Sequence, residues 1–144
     1  MTQPVRQTLT LSCGEELSFL TAGSKHQPAV LLLHGFPSAA HTFRNIMPTL
    51  ASDAWLIAPD LPGFGASDML PSTTFATLAD AVEELLERLA VGPRYIYLHD
   101  FGAPVGLELA MRAPDKVLGL IIQNANAHES GLGPQWEATR AFWN

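Results

Sequence analysis

The stretch Ile96-Tyr97-Leu98-His99-Asp100-Phe101-Gly102-Ala103-Pro104, IYLHDFGAP, decides how this chain is read. An apolar run that stops on a carboxylate, then passes into small residues and a proline, predicts a strand delivering its last side chain to the mouth of a helix. Asp100 stands at that corner. Such a carboxylate either caps the first helical turn, worth about 1 kcal/mol, or is presented to something outside the fold.

Neighbouring segments repeat the pattern. "AVLLLHG" (29–35), "AWLIAPD" (54–60) and "KVLGLIIQN" (116–124) are continuous apolar runs, as expected of parallel strands covered on both faces. Ahead of them, "QTLTLS" and "EELSFLTAG" alternate about Cys13-Gly14 and predict an antiparallel hairpin with one wet face. Between the strands, helices are predicted over His41–Ala51, Thr77–Ala90 and Phe101–Arg112, the second with an acidic face of Asp80, Glu83, Glu84 and Glu87. Alternating strand and helix predicts an α/β fold with a doubly wound, mostly parallel sheet, whose ligands bind at the carboxyl ends of the strands.

Composition narrows the function. The chain has 144 residues, 47% of them hydrophobic, and a net charge of −6, which suits one globular domain. Lys and Arg form no cluster, so neither nucleic acid nor a membrane surface is an expected partner. No run reaches the roughly 18 apolar residues of a membrane span, and the start lacks the apolar core of a secretory leader. A single cysteine, Cys13, builds no disulfide framework; a cytoplasmic location is expected. Neither metal-ligand spacing nor a phosphate-cradling loop is apparent, so no cofactor and no metal are expected.

Each of three strand ends carries an unusual cluster: "HGFP" (34–37), "DLPGFGASD" (60–68) and "LHDFGAP" (98–104). In this order the set resembles the α/β-hydrolase family, and within it the branch with an aspartate nucleophile, the epoxide hydrolases and haloalkane dehalogenases. The resemblance covers nearly the whole chain and implies an α/β-hydrolase core running to about the sixth strand. Leu98-His99-Asp100-Phe101-Gly102 matches the family's nucleophile elbow, with Asp100 in the nucleophile's place and Leu98 where a small residue is usual. A carboxylate there suits displacement at an sp³ carbon, giving an alkyl-enzyme ester. The backbone N–H groups of Phe36 and Phe101 are the implied oxyanion hole. His34, Gly35 and Pro37 are implied supports of the loop, and Phe36-Pro37 is a candidate cis peptide. Related dehalogenases commonly carry Asn and Trp at the positions of Phe36 and Phe101, which favours an epoxide over a halide. Asp60 reads as a structural turn residue.

Alternation along a strand turns His99 away from the pocket; His26 and His41 read as surface residues. Asn124 sits where some relatives place their acid, but an amide cannot fill that role, and His128 lies near the expected mouth. In the family, the water-activating histidine and its acid follow a helical cap. Residues 1–127 are therefore expected to form the N-terminal part of the core and 128–144 the start of the cap, with an amphipathic turn at Trp136, Phe142 and Trp143. This leaves Val117–Asn124 as an apolar edge, to be covered by the remaining half of a hydrolase or by a second copy. The function expected is that of an epoxide hydrolase-like enzyme acting on a small-molecule substrate, with this stretch alone inactive. A dehalogenase and a non-catalytic ligand-binding scaffold are the alternatives.

Overall fold

The computed structural model describes residues 3–137 and 141. Six strands, β1 (Val5–Thr10), β2 (Glu16–Ala22), β3 (Ala29–Leu32), β4 (Trp55–Pro59), β5 (Arg94–His99) and β6 (Val117–Gln123), form one sheet in the order β1-β2-β4-β3-β5-β6. The β4-β3-β5-β6 pairs are parallel, whereas β1 and β4 both flank β2 antiparallel. Alternation along the strands divides the core. Leu17, Phe19, Leu31, Ile57, Ile96 and Leu98 face α2 (Phe75–Arg88) and α3 (Gly102–Arg112); Leu20, Leu32, Leu56 and Ala58 face Phe43 and Met47. Both faces are thus covered, as the continuous apolar runs predict.

The helix expected over His41–Ala51 is instead a 3-10 turn, Ala40–Phe43, followed by a single α-turn, α1 (Met47–Leu50). Pro48 accounts for the break: it has no N–H to donate, and its ring would strike the carbonyl of Arg44 in a continuous helix. α2 starts at Phe75, two residues earlier than expected, because Thr74 and Thr77 cap one another. The Thr77 N–H donates to Thr74 Oγ1 at 3.2 Å, and the Thr74 N–H donates to Thr77 Oγ1 at 2.9 Å. It ends at Arg88, and Ala90 turns left-handed at φ 55°. The N–H groups of Ala90 and Val91 then close on the Glu87 and Leu86 carbonyls, a Schellman ending without its usual glycine.

The acidic face of α2 is not simply solvated. Arg112 of α3 donates to Asp80 at 2.7 Å and to Glu83 at 3.0 Å, while Glu84 accepts the Ser12 N–H and hydroxyl. The hairpin forms as expected, but β2 has no wet face: pairing with β4 places it inside the sheet, where Leu17 and Phe19 pack on the α2 side, Leu20 packs against Phe43 and Met47, and Ser18 is buried beneath Arg6. β6 departs from a strand covered on both faces: Leu118, Leu120, Ile121 and Ile122 are all exposed. Only β5 pairs with it among the described residues.

Candidate active site

Between the end of β5 and the start of α3 the chain reverses at Asp100, whose φ is 46°. A side chain in this left-handed region costs of order 1 kcal/mol, although Asp tolerates it better than most. The turn is tight because α3 presses on the sheet. A Cβ at Gly102 would lie 2.6 Å from the His34 carbonyl oxygen, and one at Gly106 would lie 2.2 Å from Leu98 Cδ2. Leu98, larger than its place in the elbow usually allows, points into the core and fits because Gly106 leaves room beneath it. The Asp100 N–H donates to the Asn124 carbonyl at 3.2 Å, which ties the elbow to the end of β6.

The Asp100 side chain does not cap α3. Its Oδ2 accepts the Phe36 N–H at 2.9 Å and the Phe101 N–H at 2.6 Å, and no described residue donates to Oδ1. One carboxylate oxygen is thus anchored between two converging backbone donors, while no described residue donates to the other and Asp100 itself is exposed. Both bonds are charge-assisted, and they fix the rotamer more firmly than neutral bonds would. Gly35 makes the approach possible: a Cβ there would meet Asp100 Cβ at 2.7 Å and Oδ2 at 3.0 Å. The two loops that sequence reasoning singled out therefore meet at this one oxygen.

The loop carrying Phe36 is braced from beneath by His34, which is fully buried. Its Nδ1–H donates to the Gly35 carbonyl at 2.9 Å, and its Nε2 accepts the Leu61 N–H at 3.0 Å. Both ring nitrogens are spent on backbone groups in the neutral form. Burial pushes its pKa below the ordinary 6.5, outweighing the Gly35 carbonyl and Asp60, which favour the charged form. The Phe36-Pro37 bond is cis, as expected.

Asp60 is more than a turn residue. Fully buried, it accepts from Ala40 N–H at 2.8 Å, Ala66 N–H at 3.0 Å and Arg6 at 2.6 Å, knitting together the loops after β3 and β4 and the first strand. Burial alone would raise its pKa, but the Ala66 N–H, Arg6 and the Ala40 N–H together bring it below the ordinary carboxylate value. Gly65, at φ 57°, must lack a side chain because a Cβ would sit 2.4 Å from the Asp60 carboxyl carbon. The Arg6 pairing was invisible in sequence, where an arginine in an exposed strand carries no signal.

Four phenylalanine rings surround the elbow. Phe101 lies 5.1 Å from Phe75, 5.5 Å from Phe64 and 6.4 Å from Phe36, and Phe36 meets Phe64 edge-on at 6.0 Å. Sequence reasoning missed the side chains of Phe64 and Phe75; the placing of Phe64 between Gly63 and Gly65 was the available signal. His99 turns toward β6, donating Nδ1–H to the Gln123 carbonyl at 3.1 Å, and His26, His41 and His128 are exposed. Trp136 closes a short 3-10 turn, whereas Phe142 and Trp143 lie outside the described residues. A separate open groove of about 350 Å³ runs between the β1–β2 turn and α2, lined by Leu11, Cys13, Leu70 and Thr77 among others. It holds none of the groups that converge on Asp100. Among the described residues no cluster of three or more His, Cys, Asp or Glu side chains is placed to hold a metal ion, and no helix is long and apolar enough to cross a membrane.

Residues 28–143 match the model of the alpha/beta hydrolase fold family. The chain belongs to that family. This α/β-hydrolase chain is 38% identical over 133 residues to an uncharacterised hydrolase of Saccharomyces cerevisiae, covering 90% of itself and 46% of that protein. It is 37% identical over 111 residues to a soluble epoxide hydrolase of Corynebacterium sp., covering 76% of itself and 38% of the relative. The structure of a haloalkane dehalogenase variant from Bradyrhizobium elkanii superposes with a TM-score of 0.82 at 28% identity, over 98% of this chain and 50% of that one. The α/β-hydrolase chain thus spans half or less of the length of these relatives.

Proposed function

We propose that Asp100 is the nucleophile of an epoxide hydrolase-like reaction and that the Phe36 and Phe101 N–H groups are its oxyanion hole. The observation that carries this reading is the asymmetry of the carboxylate: Oδ2 is held at 2.9 and 2.6 Å by two backbone donors, and no described residue donates to Oδ1 of this exposed side chain. Oδ1 attacks an sp³ carbon of the epoxide, the carbon–oxygen bond opens, and its electron pair passes to the leaving oxygen, which takes a proton from water. The product is an alkyl ester on Asp100 whose carbonyl oxygen is Oδ2. Attack of water on that ester carbon puts negative charge on Oδ2, still between the two donors, each contributing about 3 kcal/mol in a dry site.

Release of the ester needs an activated water. His34 cannot supply it, since both its nitrogens are engaged; in the family the water-activating histidine follows the cap, and without it the ester on Asp100 persists. Residues 128–144 are assigned to the start of a cap, and the exposed apolar face of β6 to burial by the remaining half of a hydrolase or by a second copy. A reducing, cytoplasmic setting suits the lone Cys13.

The dehalogenase alternative keeps Asp100 but needs donors for a departing halide, and the side chains of Phe36 and Phe101 offer none. Incubation with an epoxide, followed by intact-mass measurement, tests the reading: one equivalent should add per chain, with no halide released from a haloalkane panel. Halide release would favour the dehalogenase. Ligand binding with no covalent product, unchanged in Asp100→Asn, would favour the non-catalytic scaffold.

A further inference from the structure

The rings of Phe36, Phe64, Phe75 and Phe101 do something the backbone roles of Phe36 and Phe101 do not require. Phe36 is 65% exposed and Phe75 43% exposed, although each lies against the cluster. Large apolar side chains left open beside a polar group that converges on a point mark a binding surface more often than chance exposure. The residues whose amides hold Oδ2 are the residues bearing two of the rings, Phe36 and Phe101, and those two rings lie 6.4 Å apart. The rings meet one another tilted or edge-on, at 53° to 87°, and Phe36 and Phe75 carry most of the exposed ring surface. A flat aromatic group can extend such an array in the edge-to-face geometry these rings already use, and an aliphatic group of equal volume cannot.

We propose that this array is a seat for a planar aromatic substituent, and that the site selects aryl-substituted over saturated substrates. The proposal rests on the reading of Asp100 as nucleophile for what becomes of the substrate, but not for its binding. With the aryl group seated, the carbon bearing it comes against Oδ1. Positive charge developing at that carbon as the leaving oxygen departs then faces the negative faces of the rings.

Two measurements on the full chain separate the seat from the chemistry. Binding is read by NMR titration of unreactive diols, 1-phenylethane-1,2-diol against 1-cyclohexylethane-1,2-diol. The phenyl diol should bind at least fivefold more tightly and shift the Phe36 and Phe101 amide signals, and the ratio should fall toward one in Phe36→Leu. Phe75→Leu, also at an exposed position, is the second variant should the first fail to fold. Labelling is read by mass with styrene oxide against cyclohexyloxirane, and should show the same preference. Equal binding of the two diols, or binding of neither, overturns the seat whatever the labelling shows. Phenyl-selective binding without any label upholds the seat and overturns the nucleophile reading instead.

Discussion

Replacing Gly35 by alanine tests how closely the loop and the elbow must approach. The added Cβ would lie 2.7 Å from Asp100 Cβ, 3.0 Å from Oδ2 and 3.1 Å from His99 Cδ2, where ordinary contact begins at 3.4 Å. Loop and elbow must therefore part by about 0.7 Å, the gap between 2.7 and 3.4 Å. If that movement falls along the 2.9 Å bond from Phe36 N–H to Oδ2, the bond lengthens to about 3.6 Å, beyond the hydrogen-bonding range. Two consequences follow. Stability falls by about 1.5–3 kcal/mol, the value of a bond to a charged group. Breakdown of an ester on Asp100 loses one of two donors to its oxyanion, about 100-fold in rate. The assay is to alkylate wild type and Gly35→Ala with an epoxide, raise the pH to promote ester cleavage by hydroxide, and follow loss of the label by mass. Release from Gly35→Ala at the wild-type rate, in a protein with an unchanged circular dichroism spectrum, would refute the reasoning.

Other consequences concern the frame around the site. Asp60→Ala strands the Ala40 and Ala66 N–H groups, while the partly exposed Arg6 can turn to water; a loss of about 3 kcal/mol is expected in urea unfolding. Because the folded pKa of Asp60 is depressed, its contribution is intact above the ordinary 3.8 and disappears as the pH falls through the lower folded value; acid titration of stability should be flatter there in the variant. His34 acts earlier: its folded pKa lies below 6.5, so the unfolded chain takes up the proton first, and stability should begin to fall as the pH drops through 6.5 in wild type but not in His34→Gln. Thr74→Ala removes one side of the reciprocal cap of α2 and should cost about 1 kcal/mol without changing labelling. Ile122→Lys, on the exposed edge strand, should shift any self-association of the chain toward monomer in size-exclusion chromatography; a wild type already monomeric without a partner would contradict the assignment of that edge to a covering chain.

The parallel strands were legible because their runs are apolar on both faces, and the elbow because an apolar strand ends on Asp100 ahead of small residues. What sequence misjudged has identifiable causes. The stretch after the third strand has helical periodicity, but Pro48 cuts it into a 3-10 turn and one α-turn. β2 alternates in sequence like a half-wet strand, yet its pairing with β4 places it inside the sheet, where Leu17 and Phe19 pack on the α2 side and Leu20 and Ala22 against Phe43 and Met47, a long-range fact that no local pattern carries. The Arg6–Asp60 pair spans 54 positions and joins an exposed strand to a buried turn. Phe64 and Phe75 converge on Phe101 only because two loops and α2 meet above the sheet.

The direct test of Asp100 as nucleophile is the location of the adduct. Wild type and Asp100→Asn are treated with styrene oxide, digested, and the peptide containing residue 100 is sequenced by tandem mass spectrometry. The account predicts one adduct on the Asp100 carboxylate, labile to hydroxylamine, and none at that position in Asp100→Asn. An adduct placed elsewhere, or an unmodified Asp100 in a folded chain that binds the corresponding diol, would contradict it.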